Sequence, residues 1–476
     1  MQKTITDDDN HAKTSIPTEF LKKLQQCVPA DYFFSDPSDC YAYGYDNSRQ
    51  HQLPHAVVLP SDEKQIQQIV LLCKQYKIAL TTRGRGTGTA GGSVPLHHGV
   101  VLSTENMSKI LSIDPDNRVA TVQPGVLNQT LQDALVEHKL FWAPDPTSAA
   151  FCSIGGNLAV NSAGPRAVKY GSTRDNVLGL SAIIGTGDII KTGVITTKGV
   201  VGYDLTRLLV GSEGTLAIIT EANLKLLPLP ETKATLQVFY KDIESATHAI
   251  TKIMAQPITP CALEFIDSAC LDIIRKHSPD VFLPDNAKAL LMIDVDGDNE
   301  TIKAAADKIS LSLKNDGLIE LNIADTKQDI ERIWKTRKAL SPALRTIAPK
   351  KINEDVVVPV SKIPDLIKQL KVISNKYSIP IVNFGHAGNG NIHTNLLLDE
   401  TNPTQANNAE ACLSDVFELV LELNGTISGE HGIGMEKRDY VGREIDSITL
   451  NLMRQIKTQF DPENILNPDK MFPLVK

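Results

Sequence analysis

Residues 83 to 92 read Arg83-Gly84-Arg85-Gly86-Thr87-Gly88-Thr89-Ala90-Gly91-Gly92, and no other stretch restricts the fold as much. Glycines let backbone N–H groups come close to a phosphate without a Cβ in the way. A Rossmann turn is the first candidate, and Glu105 even stands where its ribose-binding acid would be expected. That turn must open a helix, however. Gly91, Gly92 and Pro95 break any helix here, and residues 100–103 read as the next strand. No Gly-Lys-Ser/Thr follows, so a Walker A loop fails as well. Taken alone, the run is read equally well as a surface turn. Further small-residue loops follow it: Pro144-Asp145-Pro146-Thr147-Ser148, Ser153-Ile154-Gly155-Gly156-Asn157, Asn161-Ser162-Ala163-Gly164, Lys169-Tyr170-Gly171 and Gly211-Ser212-Glu213-Gly214-Thr215. Such a series implies repeated close approach to one extended ligand, and a pyrophosphate-linked dinucleotide has that shape.

A second feature lies near the other end. His386-Ala387-Gly388-Asn389-Gly390-Asn391-Ile392-His393 and Gly429-Glu430-His431-Gly432 bring together three imidazoles and a carboxylate. The Gly-Asn-Gly core is a tight-turn sequence between two apolar strands, so a hairpin can set both histidines on one side. Two imidazoles and a carboxylate suit zinc or manganese and leave coordination positions open. Metal-activated hydrolysis explains this set by itself, but it leaves the glycine-rich series unexplained.

The chain has 476 residues, room for two or three domains of roughly 100–200 residues each. A net charge of −8 argues against nucleic acid as partner. Met1 to Thr18 is polar, with Asp7, Asp8 and Asp9, and lacks the apolar core of a signal peptide. No apolar run approaches the roughly 20 residues needed to span a bilayer. The cytoplasm is the expected location, with attachment at a membrane surface left open. The cysteines are scattered without any Cys-x-x-Cys pair, as expected of reduced thiols, so no iron–sulfur cluster is expected.

Four segments are expected: residues 1–53, an N-terminal helical part; 54–228, with short strands between glycine-rich turns; 229–430, after Pro228 and Pro230, with strand–helix units; and 431–476. Ser61 reads as the cap of a helix over 64–76 whose buried face carries Ile66, Ile69, Val70 and Cys73. Residues 119–122, 182–184 and 216–219 read as strands. After Pro230 an antiparallel sheet covered by helices is expected, with long helices at 328–347 and 362–377 and an amphipathic helix at 448–460.

The ordered glycine-rich loops resemble the flavin-binding domain of the vanillyl-alcohol-oxidase type, over residues 54 to 227. The resemblance implies that Arg83, Gly84, Gly86, Thr87, Gly88, Thr89, Gly91 and Gly92 hold the FAD pyrophosphate. Pro146, Ser148, Gly155, Gly156, Asn157, Asn161, Ser162 and Gly164 would line the isoalloxazine and ribityl. Glu213 and Gly214 would meet the adenosine side, and Tyr170, Gly171 and Ile219 are also expected at the cofactor. Members that attach flavin covalently carry a histidine in the first loop; here Thr87 and Thr89 stand there, which implies non-covalent FAD. His97 and His98 lie past the loop and read as solvated.

The C-terminal segments resemble the FAD-linked D-2-hydroxyacid dehydrogenases, the group with D-lactate dehydrogenase, the glycolate oxidase catalytic subunit and D-2-hydroxyglutarate dehydrogenase. This likeness implies an α+β architecture: the flavin domain (PCMH-type), a ferredoxin-like α/β cap, and a tail returning to the flavin domain. His386, His393 and Glu430 match the metal ligands, His431 the catalytic base, Asn395 a substrate contact, and Asn467 a segment beside the flavin. A substrate carboxylate needs a cation; Arg337 fits, and Lys351 is the second candidate. The implied reaction oxidises a small D-2-hydroxyacid, D-lactate or glycolate ahead of D-2-hydroxyglutarate, to the 2-oxoacid. The electrons would leave through an external acceptor: an electron-transfer flavoprotein, a cytochrome or a quinone. A homodimer is compatible with this reading. A non-catalytic flavin subunit of a larger oxidase is the rival of another class, and it would have no use for the metal set or the base.

Overall fold

The computed structural model describes residues 16–278, 281–345, 348–399 and 401–474. The polar N-terminal stretch read above falls mostly outside them. The chain divides into two compact units. One holds residues 2–164, 171–229 and 430–476; the other holds 165–170 and 230–429.

The first unit is built on two sheets. A four-stranded sheet runs Phe33–Phe34, Ala56–Val58, Val100–Ser103, Leu80–Arg83, and its last three strands are parallel. Parallel strands need crossovers, and the helix Glu63–Tyr76 supplies one. It packs Ile66, Ile69, Val70 and Cys73, all fully buried, against Leu80, Val100 and Leu102. Asp62, not Ser61, caps this helix: its carboxylate accepts the Gln65 N–H at 2.9 Å, and Ser61 instead donates to Gln65 Oε1. A five-stranded antiparallel sheet follows in the order Ile110–Asp114, Val119–Val122, Ala217–Lys225, Val177–Ile184, Ile189–Gly193. Its central strands are longer than their apolar runs, because Gly179, Ser181, Glu221 and Asn223 continue the ladder. Trp142 is fully buried beneath this sheet and donates its indole N–H to Asn176 O at 3.0 Å.

The last segment belongs to this unit. Leu80 N donates to Ile465 O at 2.7 Å and Asn467 N to Leu80 O at 2.9 Å, so residues 465–467 extend the first sheet beside the strand that leads into the glycine-rich loop. Asp461 holds that turn. Its carboxylate is fully buried, accepts the N–H groups of Ile465 (3.1 Å) and Leu466 (2.7 Å), and pairs with Lys457.

The second unit is one seven-stranded antiparallel sheet, ordered Leu318–Ala324, Thr232–Tyr240, Ala289–Gly297, Ala262–Asp267, Ile381–His386, Asn391–Leu398, Lys350–Val357. Numbered along the chain, its first four strands stand 4-1-3-2 with helices between, the ferredoxin-like arrangement; the last three extend it. The helices Ser268–His277 and Lys327–Arg345 cover one face, packing Cys270, Leu271, Ile274, Leu340 and Leu344 on Phe239, Ile266, Met292, Val382 and Phe384. A further helix, Pro403–Glu422, starts on an Asn402 cap with proline at its first position. It is the one long helix that the sequence reading left out.

Replacing Asp461 with alanine strands Lys457 and two buried N–H groups. We expect a loss of about 3 kcal/mol, seen as a lower urea midpoint.

Candidate functional site

In the first unit the glycine-rich loop leaves the strand Leu80–Arg83 and turns its carbonyls toward protein donors. Thr87 O and Gly88 O accept from Asn47, and Ala90 O from Met435 N at 2.9 Å. Gly92 O accepts Asn467 Nδ2 at 2.9 Å. Lys470 Nζ donates to Gly91 O at 2.5 Å and to Val94 O at 2.6 Å. Burial pushes the Lys470 ammonium down to about 8, against the pull of the Asp46 and Glu213 carboxylates. The carbonyls of Thr87, Gly88, Ala90, Gly91 and Gly92 are thus taken, while none of the N–H groups from Arg85 to Gly92 has an acceptor among the described residues. A run of backbone donors opposite a satisfied carbonyl side is what an anionic diphosphate requires. The residues present therefore fit FAD.

Arg83 braces the loop from within. It is 8% exposed, and its Nη1 donates to Tyr45 O at 2.5 Å. Gly86 has φ +65°, and a Cβ there would lie 2.2 Å from Arg83 Nη2, so only glycine fits. The Gly155-Gly156-Asn157 stretch is not a loop. It forms the first turn of the helix Ile154–Val160, with Ser153 Oγ accepting the Gly156 N–H. Asn161 ends that helix in the left-handed region, and Oδ1 accepts from Arg174 N and Ser172 Oγ. Ser162 is tied to Thr173. The Glu213 carboxylate is buried and spent on the N–H groups of Ile433 and Gly434, each at 2.7 Å. Tyr170 belongs to the other unit and donates its hydroxyl to Asp296 Oδ2 at 2.7 Å. His97 pairs with Asp469 at 2.7 Å and is 40% exposed.

In the second unit the hairpin forms as its sequence implies. The strands Ile381–His386 and Asn391–Leu398 are joined by one 3₁₀ turn, closed by Gly390 at φ +75°. A Cβ on Gly390 would lie 1.9 Å from Val358 O. Residues directly opposite in an antiparallel ladder share a face, and so do alternate residues along a strand. Glu264 faces His386, Phe384 faces His393, and Asp355 faces His393 in turn; Asn353 faces Asn395. Glu264, His386, His393, Asn395, Asn353, Asp355 and Lys351 therefore lie on one face of the sheet. Arg337 reaches the same face from the helix Lys327–Arg345: its Nε donates to Glu264 Oε2 at 3.0 Å, and its guanidinium lies 4.4 Å from the Phe384 ring centre.

The imidazoles of His386 and His393 are 5.2 Å apart and nearly perpendicular. Glu430 follows Gly429, whose N–H is held by the Asp355 carboxylate at 2.8 Å. His386, His393 and Glu430 each offer a ligand atom, and these atoms lie within 4.8 Å of one another. That nitrogen–nitrogen–oxygen set fits a borderline divalent ion with open positions. His431 is the next residue, and Gly432 has φ +84°. Two buried amide oxygens on the same face, Asn353 Oδ1 and Asn395 Oδ1, find no donor among the described residues. Asn395 Nδ2 is bonded to His393 O at 2.9 Å.

The sequence reading missed Glu264 and Asp355. Glu264, 1% exposed, bonds His386 Nδ1 with one oxygen and Arg337 with the other. Asp355, fully buried, orients the residue before Glu430. Asn353 and Lys470 were missed as well. A charge inside an otherwise apolar strand, as in Ala-Leu-Glu-Phe-Ile-Asp, was the available signal for Glu264.

Solved structures share this architecture. The chain matches p-cresol methylhydroxylase with a TM-score of 0.74 at 18% identity, covering 94% of this chain and 95% of that one. It matches 4-ethylphenol oxidase from Gulosibacter chungangensis with a TM-score of 0.75 at 17% identity, covering 97% and 99%. The class is thus an FAD-binding fold of the vanillyl-alcohol-oxidase type with a cap. Residues 54–193 match the family model of an FAD binding domain, and residues 229–471 match that of the FAD linked oxidases, C-terminal domain. Glycolate oxidase subunit GlcD of Bacillus subtilis is 41% identical over 458 residues, 96% of this chain and 97% of its own length. D-lactate dehydrogenase of Archaeoglobus fulgidus is 38% identical over 458 residues, 95% and 98%. This chain belongs to the FAD-linked oxidases, and it is a flavoprotein oxidoreductase.

Asn467→Ala removes the bonds to Gly92 O and Glu213 O, the latter 2.8 Å long. At about 1 kcal/mol each, we expect roughly a tenfold or greater rise in the Kd for FAD, read by flavin fluorescence.

Proposed function

We propose that the chain oxidises a small D-2-hydroxyacid, D-lactate or glycolate, to the 2-oxoacid with non-covalent FAD. The sharing of one sheet face by Arg337, Lys351, Asn395, His386 and His393 carries this reading, and the names of its relatives support it. A 2-hydroxyacid offers a carboxylate and an adjacent hydroxyl, so its binding groups should be a cation and a polar or metal-bearing centre close together.

Bound FAD would accept the hydride from C2. A divalent zinc or manganese ion held by His386, His393 and Glu430 would supply Lewis acidity toward the hydroxyl. The side chains do the rest. Arg337 binds the carboxylate through charge-assisted hydrogen bonds, with Lys351 adding positive charge. Asn395, on the same face, is a further polar contact that orients the substrate. A nitrogen of His431 takes the hydroxyl proton as the C2 carbonyl forms. The electrons then pass to an external acceptor, an electron-transfer protein, cytochrome or quinone, and the subunit name of one relative favours delivery within a larger assembly. No helix among the described residues is long and apolar enough to cross a membrane.

The direct test is anaerobic bleaching of the flavin by a panel of D- and L-2-hydroxyacids. D-lactate or glycolate should bleach it and L-lactate should not; a flavin that no 2-hydroxyacid bleaches overturns the proposal. His431→Ala should keep FAD and metal yet lose bleaching. Arg337→Ala should raise KM at least tenfold, since a charge-assisted contact contributes about 1.5–3 kcal/mol. Chelation should suppress turnover, and added zinc or manganese should restore it.

A further inference from the structure

Glu264 stands in the middle of the cap sheet, 1% exposed. A carboxylate so deeply buried is costly unless its oxygens are bonded and its charge is matched. Oε1 meets His386 Nδ1, and Oε2 receives Arg337 Nε. Glu264 thus spends one oxygen on each partner, and it lies outside the group formed by His386, His393 and Glu430.

Those two bonds dictate what each partner can do. An imidazole that gives its Nδ1 proton to a carboxylate presents Nε2 as its basic nitrogen, the form in which histidine binds metals. A guanidinium whose Nε is committed and whose central carbon lies 4.4 Å from the Phe384 ring centre has its Nη1–Nη2 edge left. Those two nitrogens have no partner among the described residues. That edge matches a carboxylate in two-point geometry.

We propose that Glu264 is a positioning residue that sets His386 and Arg337 at once, fixing His386 as an Nε2 ligand and presenting the Nη1–Nη2 edge of Arg337 to the substrate carboxylate. This rests on the reading given under Proposed function. It makes metal affinity and substrate affinity depend on one shared carboxylate, so a change at Glu264 is felt in both.

The test uses the full-length, FAD-loaded protein with Glu264→Gln and Glu264→Asp. Zinc and manganese affinities are measured by competition with a chelator, and KM and kcat with D-lactate and glycolate. In Glu264→Gln we expect ion affinity to fall ten- to a hundredfold and KM to rise about tenfold, with the flavin absorbance unchanged. Glu264→Asp should recover part of both losses, which a purely structural role would not produce. Wild-type affinity and KM in Glu264→Gln overturn the proposal. Should that variant fail to fold, Glu264→Leu with Arg337→Met leaves no buried charge unpaired; wild-type ion affinity in this pair overturns it equally. Wild-type protein that binds neither ion overturns the metal reading and this proposal together. Uptake by wild type with no change in Glu264→Gln overturns this proposal alone.

Discussion

Lys470, Asn467 and Met435 take up the carbonyl oxygens of Ala90, Gly91, Gly92 and Val94, and these bonds decide what the glycine-rich loop can do. A flexible backbone has as many acceptors as donors, so glycine content alone does not make it an anion site. Polarity appears only when one side is satisfied from within. The buried ammonium, the amide and the main-chain N–H supply that side. They come from a segment that is itself held by Asp461 and by the ladder beside Leu80. The flavin site thus depends on how the end of the described chain is anchored.

The second unit solves a different problem. Its site must hold charged and polar groups in a sheet covered by helices. The antiparallel register does this by stacking the polar residues of four neighbouring strands on one face, while Phe239, Ile266 and Met292 continue that face as apolar packing. The polar end is internally matched: Glu264 with Arg337 and His386, and Asp355 with the Ser428–Gly429 backbone turn. A shift of one residue in any strand would move its contribution to the opposite face. The hairpin turn closed by Gly390 fixes that register at the two histidines.

Motifs were readable where local chain geometry dictates them. The histidines at either end of a Gly-Asn-Gly turn, the run from Arg83 to Gly92 and the amphipathic helix ending at Tyr76 are of that kind. Residues that act through distant partners were not. Glu264 lies 122 positions from His386, and nothing in its own strand, which also carries Asp267, points to that partner. Lys470 reads as a solvated lysine until its carbonyl partners are known. Gly155 and Gly156 were taken for a loop because glycine disfavours helices, yet the Ser153 cap and the packing of Ile154 and Leu158 override that preference. The partner of the Tyr170 hydroxyl, Asp296, lies 126 positions away and was equally hidden.

The tail's grip on the glycine loop also orders events in time. Gly91 and Lys470 are 379 positions apart, with the entire cap unit encoded between them. During synthesis the loop emerges early with its carbonyls unclaimed, and its donors gain their final orientation only after residues 433 to 470 have been made. The clamp on the loop thus waits for a segment made long after the loop itself. A fragment cut to residues 54–193 would carry the recognisable sequence of a flavin domain without the clamp that makes it one.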